Sequence, residues 1–216
     1  VLKIIIPNYN KESYLKELFD SLYPQLTENC RIYFIDDCST DKSVSILENH
    51  PIKKFTTLIQ NEGRQWCSIS RNKGLEYVTS EDWFCFIDSD DYVKSNYIET
   101  LENYIQDGKS DIYVYKEQII DEITKEEFPL DDQMAIYTRL YKGFLAELVK
   151  MRENKELKEA HAGEDTFYNI DSSLKAFRIS YCDDIIYVYR RSVKNGESEI
   201  SGMSWETKKN YWKENK

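Results

Sequence analysis

Short apolar runs that end in polar or acidic turns, each followed by helical spacing, recur through the first half of this chain and leave few folds open. Residues 2–6 are almost continuously apolar and close on Pro7-Asn8, as in a parallel-sheet strand covered on both faces. From Asn10, expected as an N-cap, the positions Tyr14, Leu15, Leu18, Phe19 and Leu22 recur at helical spacing until Pro24. The unit then repeats: a strand over 31–35, a polar loop over 36–41 and a short helix over 43–47. A third strand over 55–59 precedes a helix near 68–78. A fourth strand, 83–87, precedes a helix capped by Ser95 that carries Tyr97, Ile98, Leu101, Tyr104 and Ile105 on one face and ends at Gly108. Residues 111–115 read as a fifth strand.

This alternation predicts an α/β fold with a Rossmann-like, mostly parallel central sheet flanked by helices, whose ligands sit beyond the carboxyl ends of the strands. Those ends are Pro7-Asn8-Tyr9, Asp36-Asp37, Asn61-Glu62-Gly63 and Asp88-Ser89-Asp90-Asp91. After about residue 116 the rhythm breaks into charged turns, a helix over 144–151, a helix after Glu164-Asp165 and a strand over 185–189. Residues 116–216 are therefore expected to form a smaller α+β half of the same domain, beside the regular α/β half over residues 1–115.

Composition removes several function classes. A formal charge of −10 argues against a general nucleic-acid binder, which needs a basic footprint. Five cysteines, widely spaced and without a CxxC pair, suggest neither a zinc site nor a disulfide framework, and a reducing, cytoplasmic setting is expected. No apolar run approaches the ~20 residues that span a bilayer. The start at Val1 resembles neither a signal peptide nor an initiator, which suggests a trimmed domain.

Two strands run from apolar residues into paired carboxylates, at Ile35-Asp36-Asp37 and at Ile87-Asp88-Ser89-Asp90-Asp91. Such crowding demands a counter-ion, a partner or a shifted pKa. A hard divalent cation, Mn²⁺ or Mg²⁺, meets that demand while sharing its other positions with a diphosphate and water. The plainer alternative is that these Asp residues only cap helices and form turns.

The ordered set Ile4-Ile5-Ile6-Pro7-Asn8-Tyr9-Asn10, Ile35-Asp36-Asp37-Cys38-Ser39-Thr40-Asp41, Asn61-Glu62-Gly63 to Ser70-Arg71-Asn72-Lys73-Gly74, and Phe86-Ile87-Asp88-Ser89-Asp90-Asp91 resembles the family 2 glycosyltransferases of GT-A fold. The resemblance is strong over residues 1–115 and weaker to about 201. It implies an inverting, metal-dependent hexosyl- or N-acetylhexosaminyltransferase that uses a nucleoside diphosphate sugar, most often UDP-linked. It also implies a carbohydrate or lipid-linked saccharide acceptor, and bacterial surface-polysaccharide assembly at the inner face of the membrane, with peripheral association through segments outside this chain.

By the same resemblance Pro7 fixes the chain and Tyr9 lies against the nucleobase, while Asp37 or its neighbour Asp36 accepts from a ring N–H. Asn61, Gly63, Arg71 and Asn72 belong to the segment that closes over the nucleotide, and the alternative for Asn72 and Gly74 is a packing role. In the acidic turn, Asp88 takes the ribose-facing or a water-mediated position with Ser89 on the nucleotide side, Asp90 is the direct metal ligand and Asp91 the reserve ligand, its alternative being a helix N-terminus. Asp165 is the implied base, with Glu164 beside it, and the alternative for Asp165 is a helix cap. Arg190 or Arg191 would offset charge on the leaving diphosphate. One departure stands out: many relatives carry a late metal-binding His, whereas the histidines here are His50 and His161. Trp66 and Tyr168 are read as core aromatics before pocket residues.

Two other readings compete. A nucleotidyltransferase would want a Gly-rich basic loop after the first strand, which Pro7-Asn8-Tyr9-Asn10 does not provide. A binding module that lost its chemistry is disfavoured by the joint presence of Asp37, Asp88, Asp90 and Asp165.

Overall fold

The computed structural model describes residues 1–121, 125–130, 135–152 and 164–191. The first half alternates β1 (Leu2–Asn8), α1 (Glu12–Leu22), β2 (Cys30–Asp36), α2 (Ser43–Asn49), β3 (Thr56–Gln60), α3 (Trp66–Leu75) and β4 (Trp83–Phe86). There follow β5 (Tyr92–Val93), α4 (Tyr97–Asp107), β6 (Ile112–Asp121), β7 (Glu127–Leu130), β8 (Arg139–Lys142), α5 (Phe144–Leu148), α6 (Glu164–Lys175) and β9 (Ile179–Arg191).

The described strands form one sheet in the order β3-β2-β1-β4-β8-β6-β9-β5, with β7 paired to β6. β3, β2, β1 and β4 are parallel, β8 runs antiparallel between β4 and β6, and β9 lies parallel to β6. Strands of both halves thus share one sheet. The expectation of a mostly parallel α/β sheet holds, with β8 as an antiparallel insertion that the sequence pattern did not reveal.

β1 sits centrally because Ile4, Ile5 and Ile6 have no exposure and need cover on both faces. Part of that cover is α1, whose Leu15, Leu18, Phe19 and Leu22 are buried at the i, i+3, i+4, i+7 spacing of an apolar stripe. Another part is α3, which approaches so closely that a Cβ added at Gly74 would lie 2.4 Å from Ile5 Cγ2. The missing N–H of Pro7 is tolerated because the β1–β4 ladder has already ended at Ile5 and Phe86. α4 stops at Gly108, in the left-handed region at φ 58, whose N–H donates to Tyr104 O. Among the described residues no helix is long and apolar enough to cross a membrane.

Candidate active site

The carboxyl ends of β1, β2 and β3 are knitted by buried polar contacts. Asn8 Nδ2 donates to Asp36 Oδ1 and to Ser39 Oγ, both at 3.0 Å, and Ser39 N donates to Asp36 Oδ2 at 3.1 Å. Asp36 has no exposure; its Oδ1 ties it to β1 and its Oδ2 to the loop that follows β2. Asp37 is turned the other way: Oδ1 accepts from Asn61 Nδ2 and from Gln65 N, both at 2.7 Å, and Oδ2 accepts from Trp66 N at 2.8 Å. Asn61 Nδ2 also reaches Ser70 Oγ at 3.2 Å, and the Cys38 thiol donates to Asn61 O at 3.0 Å. Over this corner lie Tyr9, Arg64 and Trp66, with the Arg64 guanidinium carbon 3.9 Å from the Tyr9 ring centroid and 4.3 Å from that of Trp66. A Cβ added at Gly63 would meet only Gln65 Nε2, at 3.9 Å, so the protein itself has no steric need for glycine there.

The acidic turn after β4 resolves its like-charge crowding by sending its carboxylates three ways. Asp88 Oδ1 takes Arg71 Nη2 at 2.7 Å. Asp90 Oδ2 pairs with Lys11 Nζ at 3.0 Å and keeps a side-chain exposure of 38%. Asp91 is buried; it accepts from the Tyr187 hydroxyl at 2.7 Å and from Arg190 N at 2.9 Å. Burial, then the neighbouring Asp90 and Asp88 charges, push the Asp91 carboxyl well above the usual range. The Tyr187 hydroxyl also accepts from Asp88 N at 3.0 Å, so one side chain of β9 clamps both ends of the turn. Ser89 is buried within it.

Arg71 joins the two halves of the site. It projects from α3 with a side-chain exposure of 3%, and its fork places Nη2 on Asp88 and Nη1 on Asp165 Oδ1 at 2.6 Å. Asp165 lies in the first turn of α6, and its side chain, like that of Asp88, keeps about a quarter of its surface open, at 28% and 26%. α6 is held there by Tyr168, which packs edge-on against Phe86 and Tyr141, and by Asn169, whose Oδ1 accepts from Tyr141 OH at 2.6 Å. Beside Arg71, Asn72 exchanges two bonds with the backbone of Met151, at 3.0 and 2.8 Å. The side chains of Glu164 and Arg191, and all of His161, lie outside the described residues.

Arg190 is committed elsewhere: its guanidinium pairs with Glu17 at 2.7 Å and lies over the rings of Tyr14 and Tyr92. Besides Arg71 on Asp88, a second cation meets the acidic turn, Lys11 on Asp90, which the sequence reading passed over. Its position directly after Pro7-Asn8-Tyr9-Asn10 was the available signal. Arg64 was also missed, because an exposed loop arginine carries no pattern.

Among the described residues no three His, Cys, Asp or Glu side chains converge as a ready metal cage. Of the acidic-turn carboxylates Asp90 keeps the most open side chain, 38% against 26% for Asp88, and a single carboxylate of this kind can serve a hard cation that takes its other ligands from elsewhere.

Similarities to known proteins run along most of the chain. The chain is 27% identical over 217 residues to glycosyltransferase GlyA of Streptococcus pneumoniae, covering 88% of this chain and 30% of that protein. It is 31% identical over 205 residues to the poly(ribitol-phosphate) beta-N-acetylglucosaminyltransferase TarS of Staphylococcus aureus, covering 86% of this chain and 35% of TarS. The chain thus spans about a third of the length of these curated relatives. The crystal structure of S. aureus TarS 1-349 in complex with UDP-GlcNAc superposes with a TM-score of 0.75 at 24% identity, over 94% of this chain and 61% of that one. The mannosyltransferase PcManGT of Pyrobaculum calidifontis, in complex with GDP-Man and Mn²⁺, gives 0.66 at 17% identity, over 91% and 58%. These likenesses show the GT-A fold. The sequence pattern described as Glycosyl transferase family 2 matches residues 3–168, from β1 to the first turns of α6, and the chain belongs to that family.

Proposed function

We propose that this chain carries the donor-binding and catalytic core of an inverting glycosyltransferase that moves a sugar from a UDP-sugar to a hydroxyl of a carbohydrate or lipid-linked saccharide acceptor. The observation that carries this reading is the Arg71 fork, which holds Asp165 and Asp88 at one edge of the sheet although they are 77 positions apart in the chain (165 − 88). In this reading Asp37 and Tyr9 serve the nucleobase, with Pro7, Asn61 and Gly63 shaping the approach, and Asp88 and Ser89 face the ribose. Asp165 takes the acceptor hydroxyl proton as the acceptor oxygen attacks C1 and the bond from C1 to the diphosphate breaks. A divalent cation at Asp90, when bound, offsets charge on the leaving diphosphate. Lys11, within 3.0 Å of Asp90, adds positive charge at the same place. Residues 1–115 then form the donor half and residues 116–216 the acceptor half, working at the cytoplasmic face of a membrane. TarS, named for poly(ribitol-phosphate), supports a polymeric polyol or saccharide acceptor.

The test is calorimetric titration with UDP and UDP-sugars, with and without Mn²⁺, paired with a transfer assay. Asp165→Asn should keep UDP affinity within about twofold and lose transfer by at least about 100-fold, as expected for a lost general base. Asp90→Ala should abolish the Mn²⁺ enhancement of UDP binding. Transfer by Asp165→Asn at the native rate would remove the base assignment, and an Mn²⁺ effect unchanged in Asp90→Ala would remove the metal assignment.

A further inference from the structure

The segment that follows β3 places two kinds of group where a nucleobase would place its own. Arg64 lays its planar guanidinium over Tyr9 and Trp66 at stacking distance. One and two residues later, the N–H groups of Gln65 and Trp66 donate to the two oxygens of Asp37. A nucleobase brings the same pair of features, a flat face for an aromatic ring and a ring N–H for a carboxylate. Arg64 is exposed and outside the core, so its stacking is not needed to close the fold. Trp66 holds a left-handed backbone, φ 72, which is costly for a bulky residue. Gly63, directly before Arg64, gives the segment backbone freedom at that point.

We propose that Arg64 is a resident competitor for the donor's nucleobase: its guanidinium fills the slot over Tyr9 and Trp66, and nucleotide binding displaces it. This rests on the reading of Tyr9 and Asp37 as the base side of the donor site. Asp37 is 4% exposed and already accepts from Asn61, Gln65 and Trp66, so a ring N–H reaches it only when the segment withdraws. Arg64 thereby sets donor affinity and favours bases that stack well enough to expel it.

The experiment measures binding of UDP, uridine and pyrophosphate to the native chain, Arg64→Ala and Arg64→Lys. Loss of two exposed cation–π contacts corresponds to about a fivefold change in an equilibrium constant. Arg64→Ala should therefore bind UDP and uridine about fivefold more tightly and pyrophosphate no more tightly, with Arg64→Lys between the two. Equal or weaker UDP binding by Arg64→Ala would overturn the proposal, as would a gain shared by pyrophosphate. A native chain that binds no UDP would overturn the donor-site reading along with it. UDP binding that Arg64→Ala leaves unmoved overturns the competitor role alone.

Discussion

Arg71 is the residue on which fold and chemistry meet. Its fork satisfies two carboxylates that come from different elements, and a lysine, a point charge on a flexible stem, cannot reproduce two directed contacts. Arg71→Met is expected to cost about 2–3 kcal/mol in urea unfolding, below the cost of a fully buried pair because both carboxylates keep a wet edge. Arg71→Lys should recover most of that stability while transfer stays reduced at least about tenfold, since Asp165 is no longer held in register with the acidic turn. Equal recovery of stability and transfer in the lysine variant would mean that charge alone matters. The resemblance pointed to Arg71 as a nucleotide contact, but its span between Asp88 and Asp165 is a tertiary fact that no local pattern encodes.

At the scale of elements, the entry of α1 shows how a distant loop can do the work of a local cap. Asn10 was expected to cap this helix, yet it sits at φ 50 and its Oδ1 accepts from Thr40 N at 2.8 Å. The first helical N–H, that of Glu12, is taken by Asp41 Oδ2 at 2.9 Å, and Glu12 Oε2 accepts from Lys42 N at 2.8 Å in return. Asp41 Oδ1 accepts from Ser43 N at the start of α2, so one carboxylate serves two helices. Burial alone would raise the Asp41 carboxyl, but the bonds from Ser43 and Glu12 outweigh it and hold it below the ordinary value of 3.8. A folded value below the unfolded one contributes stability that is present above the unfolded pKa and lost as pH falls through the folded one. Asp41→Ala should therefore cost about 1 kcal/mol at pH 7, and its unfolding curve should converge with that of the native chain below about pH 4. A difference that persists undiminished at pH 3 would rule out the carboxylate as its source.

For the molecule as a whole, the central sheet makes a prediction about access. Cys85 lies on β4 with no exposure, and burial pushes its thiol up to about 12. Cys30, on β2, is equally buried, whereas Cys38 and Cys67 are half-buried near the candidate site. Iodoacetamide at pH 8 should modify Cys38 and Cys67 in the folded chain and reach Cys30 and Cys85 only after global unfolding, as read by peptide mass spectrometry. Labelling of Cys85 at the rate of Cys67 in the native chain would contradict the packing around β4.

The sequence by itself determined the parallel half of the sheet, because each strand there is a short apolar run and each helix an amphipathic stripe, and both signals are local. It also determined which strand ends carry acid. Tertiary structure decided the rest. β8, four residues long, carries Arg139 at 4% exposure, a charge that local reading places at the surface. β9 runs from Ile179 to Arg191 through the exposed Asp183 and Asp184, past a bulged register against β6, so only its apolar stretch over 185–189 was legible. The fates of the four acidic-turn and base carboxylates were set in the same way. Asp88, Asp90, Asp91 and Asp165 have the same chemistry in the sequence, and tertiary contacts sort them: Arg71 joins Asp88 to Asp165, Lys11 meets Asp90, and Tyr187 with burial takes Asp91.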